Sequence, residues 1–443
     1  MNKGSLIYND YLNLIGKKMI LTNSLNLSQI QPSSIDLTLS NECYQIEASF
    51  LSPNNKIRDK LKNIKKNKID LKKKQVFKKN KTYLVRLNES LNLDKNFFGK
   101  CNPKSSTGRL DIFCRTILDY SDEYEKIPFN YNGEIFLEIT SRSFDIEFQN
   151  GDSLNQMRLI YSKHLYIEDD KLLKLHKINP IIFDKLKDNF EANISSGLKI
   201  SVDLNKNNKI SAYVAKKNAP ILNFKKVKAH KISNFWNSLS CKNELKILPG
   251  RFYILKSKEK IRIPDNMAGE MIPYDTGIGD FRVHYAGFFD PGFGNPEGTF
   301  AVLEIKTNEV PFILSDGQAI ARIQYEKLNK KSKVVYGSNI KSNYQKQGLA
   351  LSKHFEWYCM KQIIIINGPN LNLLGNRESN IYGELSLDEI ETKSKQKCDE
   401  LNLDLFFFQS NNEGEIINMI QEAQEKYDGL IINPAGFTHT SVA

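Results

Sequence analysis

The feature that most constrains the fold is an internal repeat across the first 350 residues. The segment Ser-Ile-Asp-Leu at residues 34–37 returns as Ser-Val-Asp-Leu at 201–204, and Leu-Glu-Ile at 137–139 returns at 303–305. Two glycine pairs follow the same order: Gly99 with Gly269, and Gly151 with Gly317. Every separation lies between 166 and 170 residues. Ordered matches at a nearly constant separation predict a duplicated domain.

Short β-type runs separated by turns fill each copy. In the first copy they include residues 83–87, 135–139 and 144–148. Their regular spacing predicts a sandwich or barrel. Because a charged, helix-like stretch interrupts the pattern, we predict repeat 1 at 1–161, a connection at 162–194 and repeat 2 at 195–358.

The loop Pro-Lys-Ser-Ser-Thr-Gly-Arg at residues 103–109 of repeat 1 concentrates anion-binding groups. The hydroxyls of Ser105 and Ser106 and the backbone N–H groups can donate to phosphate oxygens. Lys104 adds a cation, and Arg109 adds a planar, bidentate clamp. We predict that this loop binds a polyphosphate.

Repeat 2 differs at the corresponding positions. Residues 275–279 read Asp-Thr-Gly-Ile-Gly, which lacks the arginine and adds a carboxylate that repels phosphate. Repeat 2 instead has Ala-Gly-Phe-Phe-Asp-Pro-Gly-Phe at residues 286–293. This divergence predicts that one copy binds phosphate and the other the base of a nucleotide. A tail at 336–348, rich in glycine, amides and aromatics, is either a connector or a lid, and its aromatics favour the lid.

Composition excludes several classes of protein. The net charge of +12 comes from Lys spread along the chain, and the basic run at 56–81 lacks interleaved aromatics for base stacking apart from Phe77. Six cysteines without a Cys-x-x-Cys pair indicate reduced thiols and no structural zinc. The strongest apolar run, residues 363–366, is far too short to span a membrane. We therefore predict a cytoplasmic protein with no nucleic-acid or membrane partner.

From Lys361 the pattern becomes α/β. Three segments are typical of buried parallel strands: residues 363–366, 403–408 and 430–432. Two segments are typical of helices: residues 387–401 and 413–427. Loops after the first and third strands are expected to meet at the carboxyl edge of the sheet.

Four segments together resemble the dCTP deaminases of the dUTPase-like superfamily in their double-length form. These segments are residues 31–39, 104–109, 286–293 with 303–304, and 336–347. The resemblance covers residues 1–355. It implies a mainly β fold of duplicated, distorted jelly-roll barrels, with sites between neighbouring β units of a trimeric arrangement, so that the chain assembles with its own copies. The implied reaction hydrolyses the 4-amino group of dCTP to give dUTP and ammonia.

The resemblance also implies roles for single residues. Ser105 and Arg109 bind phosphates and position water, Ala286 presents its backbone to water and base, and Asp290 reaches the deoxyribose. Glu304 is the implied general acid/base, because one carboxylate beside the ring can carry both protons. Glu138 holds the equivalent position in repeat 1, so either glutamate could be the catalytic one. The residues expected to close over the triphosphate are Tyr336, Lys341 and Gln347, although Lys341 is not at the spacing usual in single-repeat members.

No protein-bound cofactor is expected. Zinc deaminases need His-x-Glu followed by Pro-Cys-x-x-Cys, and no such cysteine pair follows the His-Phe-Glu at 354–356. Mg²⁺ is expected to arrive with the nucleotide triphosphate. Two other functions stay open: a bifunctional dCTP deaminase and dUTP diphosphatase, and a non-catalytic nucleotide-binding regulator.

Four loops resemble the N-terminal part of a type II 3-dehydroquinate dehydratase, a flavodoxin-like enzyme of the shikimate pathway. These loops lie at residues 367–375, 377–383, 409–411 and 433–441. The resemblance implies that Tyr382 abstracts a proton with help from Arg377, and that Asn370 holds a water against the enolate. Asn433 and His439 are the implied substrate-binding residues. One departure is Asn412, where that family usually has a histidine.

The sequence stops at Ala443, and the later strands, general-acid histidine and a substrate arginine of that family have no counterpart. We therefore expect residues 359–443 to be a truncated α/β segment without dehydratase activity and with a tendency to aggregate. Because a free-standing dehydratase would begin at residues 360–361, a natural fusion, a read-through of adjacent genes and an incomplete record of the sequence all stay open.

Overall fold

The computed structural model describes residues 2–22, 25–183, 192–273, 281–283, 287–307, 309–337, 344–345, 347–356, 362–401 and 403–441. The chain divides into two compact units, Met1–Glu356 and Trp357–Ala443. Among the described helices, none is long and apolar enough to cross a membrane.

Repeat 1 is built of short strands with three brief helices. Its elements are β1 (Gly4–Ser5), α1 (Tyr8–Gly16), β2 (Ile20–Leu21), β3 (Ile35–Leu37), β4 (Leu39–Ile46), α2 (Ile57–Ile64), β5 (Lys65–Asp70), β6 (Gln75–Phe77), β7 (Thr82–Asn92), β8 (Phe97–Pro103), α3 (Ser105–Gly108), β9 (Ile112–Leu118), β10 (Lys126–Ile127), β11 (Asn132–Ser141), β12 (Ile146–Phe148) and β13 (Asn155–Tyr161). One sheet has the order β5-β4-β7-β11-β9, and the facing strands have the order β1-β13-β8-β10.

Repeat 2 follows the same plan. Its elements, with the connection, are α4 (Asp169–Ile178), β14 (Ile182–Phe183), β15 (Leu198–Ser201), β16 (Ala212–Ala215), β17 (Leu222–Asn223), α5 (Ile232–Phe235), β18 (Trp236–Leu239), β19 (Glu244–Ile247), β20 (Phe252–Ile261), β21 (Met267–Pro273), β22 (Phe281–Val283), β23 (Phe288–Phe289), β24 (Thr299–Thr307), β25 (Phe312–Ser315) and β26 (Ala319–Lys327). The two larger sheets have the orders β18-β16-β20-β24-β22 and β15-β26-β21-β23.

Strand register confirms the duplication predicted from sequence. Leu84 of β7 lies opposite Glu138 of β11, and Ile254 of β20 lies opposite Glu304 of β24. The pairing of β8 with β13 is likewise repeated by β21 with β26. Successive side chains alternate between the two faces of these strands. One buried core lies mainly in repeat 1 and includes Trp236, Phe252 and Ile254 of repeat 2, and a second core lies in repeat 2 and the connection.

The lysine-rich run at 56–81 forms α2, β5 and β6. β5 pairs only with β4 in this sheet, and Lys65, Lys66 and Lys68 on it are exposed. Charged side chains on an edge strand oppose pairing with a further strand. The run is therefore solvated, as predicted, and is folded as a sheet edge.

A buried ion cluster joins the two repeats. Arg158 of β13 is fully buried and forms an ion pair with Glu326 of β26. Arg158 Nη1 also donates to the carbonyl of Gly269 (3.1 Å), and Lys100 and His164 contact the Glu326 carboxylate. Burial raises the pKa of Glu326. The contacts with Lys100, Arg158 and His164 outweigh burial and hold the Glu326 pKa well below its usual range.

We predict that Glu326→Gln lowers the free energy of unfolding by about 3–5 kcal/mol near neutral pH, because it leaves buried cations uncompensated. Since the carboxyl has a depressed pKa in the folded state, its contribution is present above the unfolded pKa near 4.5 and is lost as pH falls. Thermal and urea unfolding of the first unit measure the loss. Glu123→Gln, which breaks the exposed pair with Lys126, is the control and should cost far less. Equal losses for the two variants would contradict the prediction.

The second unit is a parallel α/β sheet in the order β28-β27-β29. Its elements are β27 (Gln362–Asn367), α6 (Ser379–Tyr382), α7 (Leu387–Glu400), β28 (Asp404–Gln409), α8 (Glu413–Lys426) and β29 (Gly429–Asn433). The strands and long helices lie within two residues of their predicted bounds. Its buried core comprises Ile364, Ile366, Ile416 and Ala423.

Candidate functional site

A cavity of about 500 Å³ lies between the two repeats of the first unit. The predicted site residues that line it are Lys104, Ser105, Ser106, Arg109, Asp290, Glu304, Tyr336 and Gln347. Repeat 1 supplies the loop at 104–109, and repeat 2 and the tail supply the rest. The fold therefore brings together groups that are about 200 residues apart in sequence.

The loop predicted to bind phosphate contains a single helical turn, Ser105–Gly108, that follows β8. Arg109 N–H donates to the Ser105 carbonyl (3.1 Å), and the Thr107 hydroxyl donates to the Leu154 carbonyl (2.8 Å). Lys104 forms an ion pair with Asp36, which also lines the cavity. These bonds fix a loop that has cationic and hydroxyl groups towards the cavity.

The backbone of repeat 2 touches this loop at Gly287. Its φ is +113°, and a Cβ placed there would lie 2.8 Å from the Ser105 hydroxyl oxygen. Gly287 N–H donates to the side-chain oxygen of Asn102 (3.2 Å). A larger residue would therefore displace the Ser105 hydroxyl from its present position.

Arg109 connects the loop to the C-terminal tail. Its side chain is 3% exposed, and its guanidinium carbon lies 3.9 Å from the centre of the Tyr344 ring. Arg109 Nη1 donates to the Ala350 carbonyl (3.1 Å), and the Ser352 hydroxyl donates to the Ser106 carbonyl (2.7 Å). Tyr344, Ala350 and Ser352 of the tail therefore contact the loop at 104–109.

Glu304 places a carboxyl group in the cavity wall. It is 2% exposed, and its Oε2 atom has no hydrogen-bond partner among the described residues. Burial raises the pKa of Glu304 well above its usual range, Arg109 opposes that shift and Asp111 adds to it. The Glu304 carboxyl therefore binds a proton more readily than an exposed glutamate does, which suits a general acid/base.

Glu138, the equivalent residue of repeat 1, has a different environment. It is 1% exposed and accepts a hydrogen bond from Arg115 Nη2 at 2.7 Å. Arg115 is stacked 3.6 Å from the centre of the Tyr124 ring. Glu138 is not among the described residues that line the cavity.

Asp290 is held by residues of repeat 1. It is 8% exposed and accepts from the Ser33 hydroxyl at 2.8 Å, and Arg158 Nη2 lies 3.6 Å away. Burial raises the pKa of Asp290, while Arg158 and Ser33 oppose the shift. The position of this carboxylate therefore depends on the same arginine that joins the repeats.

Tail residues close one side of the cavity. Tyr336 N–H donates to the Pro291 carbonyl (2.8 Å), and Gln347 Nε2 donates to the Phe300 carbonyl (2.8 Å). The other two predicted residues, Ala286 and Lys341, lie outside the described residues. Within the part of the chain that the structure describes, no group of three or more His, Cys, Asp and Glu side chains is placed to hold a metal ion.

Two family models match this unit. The N-terminal domain model of 2'-deoxycytidine 5'-triphosphate deaminase matches residues 2–163, and the C-terminal domain model matches 168–355. A crystal structure of 2'-deoxycytidine 5'-triphosphate deaminase from Agrobacterium tumefaciens is 36% identical, with a TM-score of 0.70. That match covers 74% of this chain and 100% of the Agrobacterium chain. The chain belongs to the 2'-deoxycytidine 5'-triphosphate deaminase family.

The deaminase-family unit is followed by a segment of another family. The dehydroquinase class II model matches residues 361–443. Over 83 residues, 19% of this chain, the segment is 55% identical to a catabolic 3-dehydroquinase of Aspergillus clavatus and 52% identical to a 3-dehydroquinate dehydratase of Brucella canis. The match covers 55% and 53% of those proteins, so the chain spans about half the length of the curated relatives it matches.

The predicted dehydroquinate-binding loops follow the carboxyl ends of β27, β28 and β29. Asn370 N–H donates to the side-chain oxygen of Asn411 (2.9 Å), which joins the first two loops. The guanidinium carbon of Arg377 lies 3.7 Å from the centre of the Tyr382 ring. Asn433 ends β29, and His439 is exposed at the end of the 3₁₀ turn Ala435–His439.

Sequence reasoning missed Lys353 in the deaminase-family unit. Its side chain lines the cavity, and burial and then Lys104 lower its pKa. Lys353 follows Ser352, whose hydroxyl donates to the Ser106 carbonyl of the 104–109 loop. The available signal was a lysine five residues beyond Gly348, at the end of the tail motif, but nothing local shows that the tail folds back.

We predict that Gly287→Ala weakens dCTP binding by about ten- to a hundredfold, because the new Cβ displaces the Ser105 hydroxyl. Gly317→Ala is the matched control, since Gly317 also has a positive φ (+78°) and a Cβ there would lie 3.8 Å from Lys258 Nζ, an ordinary contact distance. Both variants carry backbone strain of about 1–2 kcal/mol. Isothermal titration separates the two effects, and equal binding by the two variants would contradict the predicted contact.

Proposed function

We propose that residues 1–356 form a dCTP deaminase that hydrolyses dCTP to dUTP and ammonia. The observation that carries the proposal is a buried Glu304 carboxyl, with one oxygen that lacks a partner among the described residues, in a cavity that also holds the Ser105–Arg109 turn. Membership of the deaminase family supports the same assignment.

The proposed reaction uses one carboxyl group twice. Glu304 takes a proton from water as the water oxygen forms a bond to C4 of the cytosine ring. The electron pair of the C4=N3 bond moves to N3, and Glu304 gives N3 that proton. Glu304 then takes the second proton from the hydroxyl on C4 and gives it to the 4-amino group, and the bond from C4 to that group breaks to release ammonia and leave a carbonyl at C4. A buried carboxyl with a raised pKa suits these steps, because it binds a proton more readily than an exposed carboxylate and can return it.

Three cations are proposed to bind the triphosphate. Lys104 and Arg109 belong to the repeat 1 loop, and Lys353 belongs to the tail, and all three line the cavity. Charge-assisted hydrogen bonds to phosphate oxygens would offset the cost of holding these cations in a partly buried site. Mg²⁺ bound to the triphosphate, assembly of the chain with its own copies and a cytoplasmic location stay predictions from sequence.

We predict that Glu304→Gln lowers kcat for dCTP by about 10²–10⁴-fold, because the variant cannot take up and return the proton. Glu138→Gln is the matched control in the other repeat and should leave kcat close to that of the parent chain. Ammonia release and product identity from dCTP with Mg²⁺ provide the measurement, after circular dichroism shows that both variants fold.

Other outcomes of that assay select other functions. A loss of turnover in Glu138→Gln alone would assign the base chemistry to repeat 1. Formation of dUMP and pyrophosphate would indicate a bifunctional deaminase and diphosphatase. Tight dCTP binding without turnover by the parent chain would overturn the enzyme proposal in favour of a nucleotide-binding regulator.

We predict that Lys353→Met raises KM for dCTP by about ten- to a hundredfold with a smaller effect on kcat, since a hydrogen bond to a charged group is lost. Steady-state kinetics of the variant beside Lys225→Met, an exposed lysine outside the cavity lining, test this. The salt dependence of KM should fall in Lys353→Met only. An unchanged KM would show that Lys353 does not bind the triphosphate.

A second candidate function concerns residues 361–443, which match the dehydroquinase class II family. We propose that its three loops are related to a 3-dehydroquinate site, with Tyr382 as the base beside Arg377. A gain of ultraviolet absorbance, as the conjugated enone product forms from 3-dehydroquinate, tests for activity. Measurable dehydration by the purified chain would contradict the inactivity expected from its sequence.

A further inference from the structure

A second ion pair lies directly beside the proposed catalytic carboxyl. Asp111 of repeat 1 and Lys306 of repeat 2 are joined by a contact of 2.8 Å between Nζ and Oδ2. Their side chains are 0% and 11% exposed, so this pair is almost wholly removed from water. A buried pair of this kind is far more costly to break than a surface pair.

The placement of the two residues along the chain gives the pair its significance. Asp111 follows Arg109 by two residues, and Lys306 follows Glu304 by two residues on β24. Residues two apart on a strand point to the same face. The ion pair therefore ties the end of the phosphate-binding turn to the strand face that carries Glu304.

Asp111 is itself firmly held. It is a non-glycine residue with φ +55°, and its N–H donates to the Gly108 carbonyl (2.9 Å). The Ser143 hydroxyl donates to the same Oδ2 atom (2.6 Å), and Arg142 N–H donates to the Asp111 carbonyl (3.0 Å). Backbone strain at a non-glycine residue persists when the surroundings fix it, as these bonds do.

Repeat 1 offers an internal comparison. The residue that corresponds to Lys306 in β11 is Thr140, two residues after Glu138. Thr140 bonds to the Thr82 hydroxyl (3.1 Å). Lys306 is thus present in the repeat whose glutamate lines the cavity. The other repeat, whose Glu138 is not among the lining residues, has the neutral Thr140 at the corresponding position.

We propose that Asp111 and Lys306 are a positioning pair that sets the separation between the phosphate-binding turn and Glu304 and balances the charge around that carboxyl. This inference rests on the proposed deaminase function. Asp111 raises the pKa of Glu304, and Arg109 lowers it. The other described titratable groups that line the cavity or contact Arg109 are Tyr8, Asp36, Lys104, Asp290, Tyr336, Tyr344 and Lys353.

The test uses Asp111→Asn, Lys306→Met and the double variant in the full chain, with kcat/KM for dCTP measured against pH. Removal of the Asp111 charge favours the ionised form of Glu304. The acid limb of the pH profile of kcat/KM should therefore move to lower pH in Asp111→Asn. Removal of the cation leaves Asp111 uncompensated, so the limb of Lys306→Met should move to higher pH. Each single variant should also lose about ten- to a hundredfold in kcat/KM.

The double variant should return the limb towards that of the parent chain, because both charges are gone. Asp316→Asn, which breaks the pair with Lys258 in a distant hairpin, is the control and should not move the limb. Unshifted limbs in both single variants, or shifts in the same direction, would overturn the proposal while leaving the deaminase function intact. If the parent chain does not deaminate dCTP, infrared titration of the Glu304 carboxyl against Glu304→Gln still measures the two shifts.

Discussion

The first unit depends on a fully buried arginine between its two repeats. Arg158 contacts the Glu326 carboxylate, the carbonyls of Ser33 and Gly269, and the Ser33 hydroxyl that holds Asp290. A buried guanidinium is tolerated only when its donors are paired, so the surrounding strands must keep one arrangement. That arrangement holds Asp290, which lines the cavity.

The two copies contribute different residues to one cavity. Repeat 1 kept the phosphate-binding turn, and its glutamate is paired with Arg115. Repeat 2 contributes Glu304 and Asp290 to the same cavity. Because one chain supplies both halves, the contacts between repeats, including Gly287 against Ser105 and Asp111 with Lys306, set the geometry of the site.

Much of this could be predicted from the sequence because the signals are local or repeated. The constant separation of matching segments predicted the duplicated β fold, and the charge and hydroxyl pattern at 103–109 indicated an anion-binding loop. Lys353 and Asp111 were missed because each acts through a partner that is distant in the chain. The choice between Glu138 and Glu304 was open for the same reason, since both have the sequence context Leu-Glu-Ile.

The sequence by itself determined the repeat, the β pattern within each copy, a turn rich in hydroxyl and cationic groups at residues 103–109 and the change to an α/β pattern from Lys361. These follow from periodicity, spacing and residue type, which are properties of neighbours along the chain. Only the tertiary structure decided which glutamate lines the cavity, which lysine of the tail reaches it and which charges surround the carboxyl. Burial and pairing decide those properties, and both depend on residues that folding brings together from distant positions.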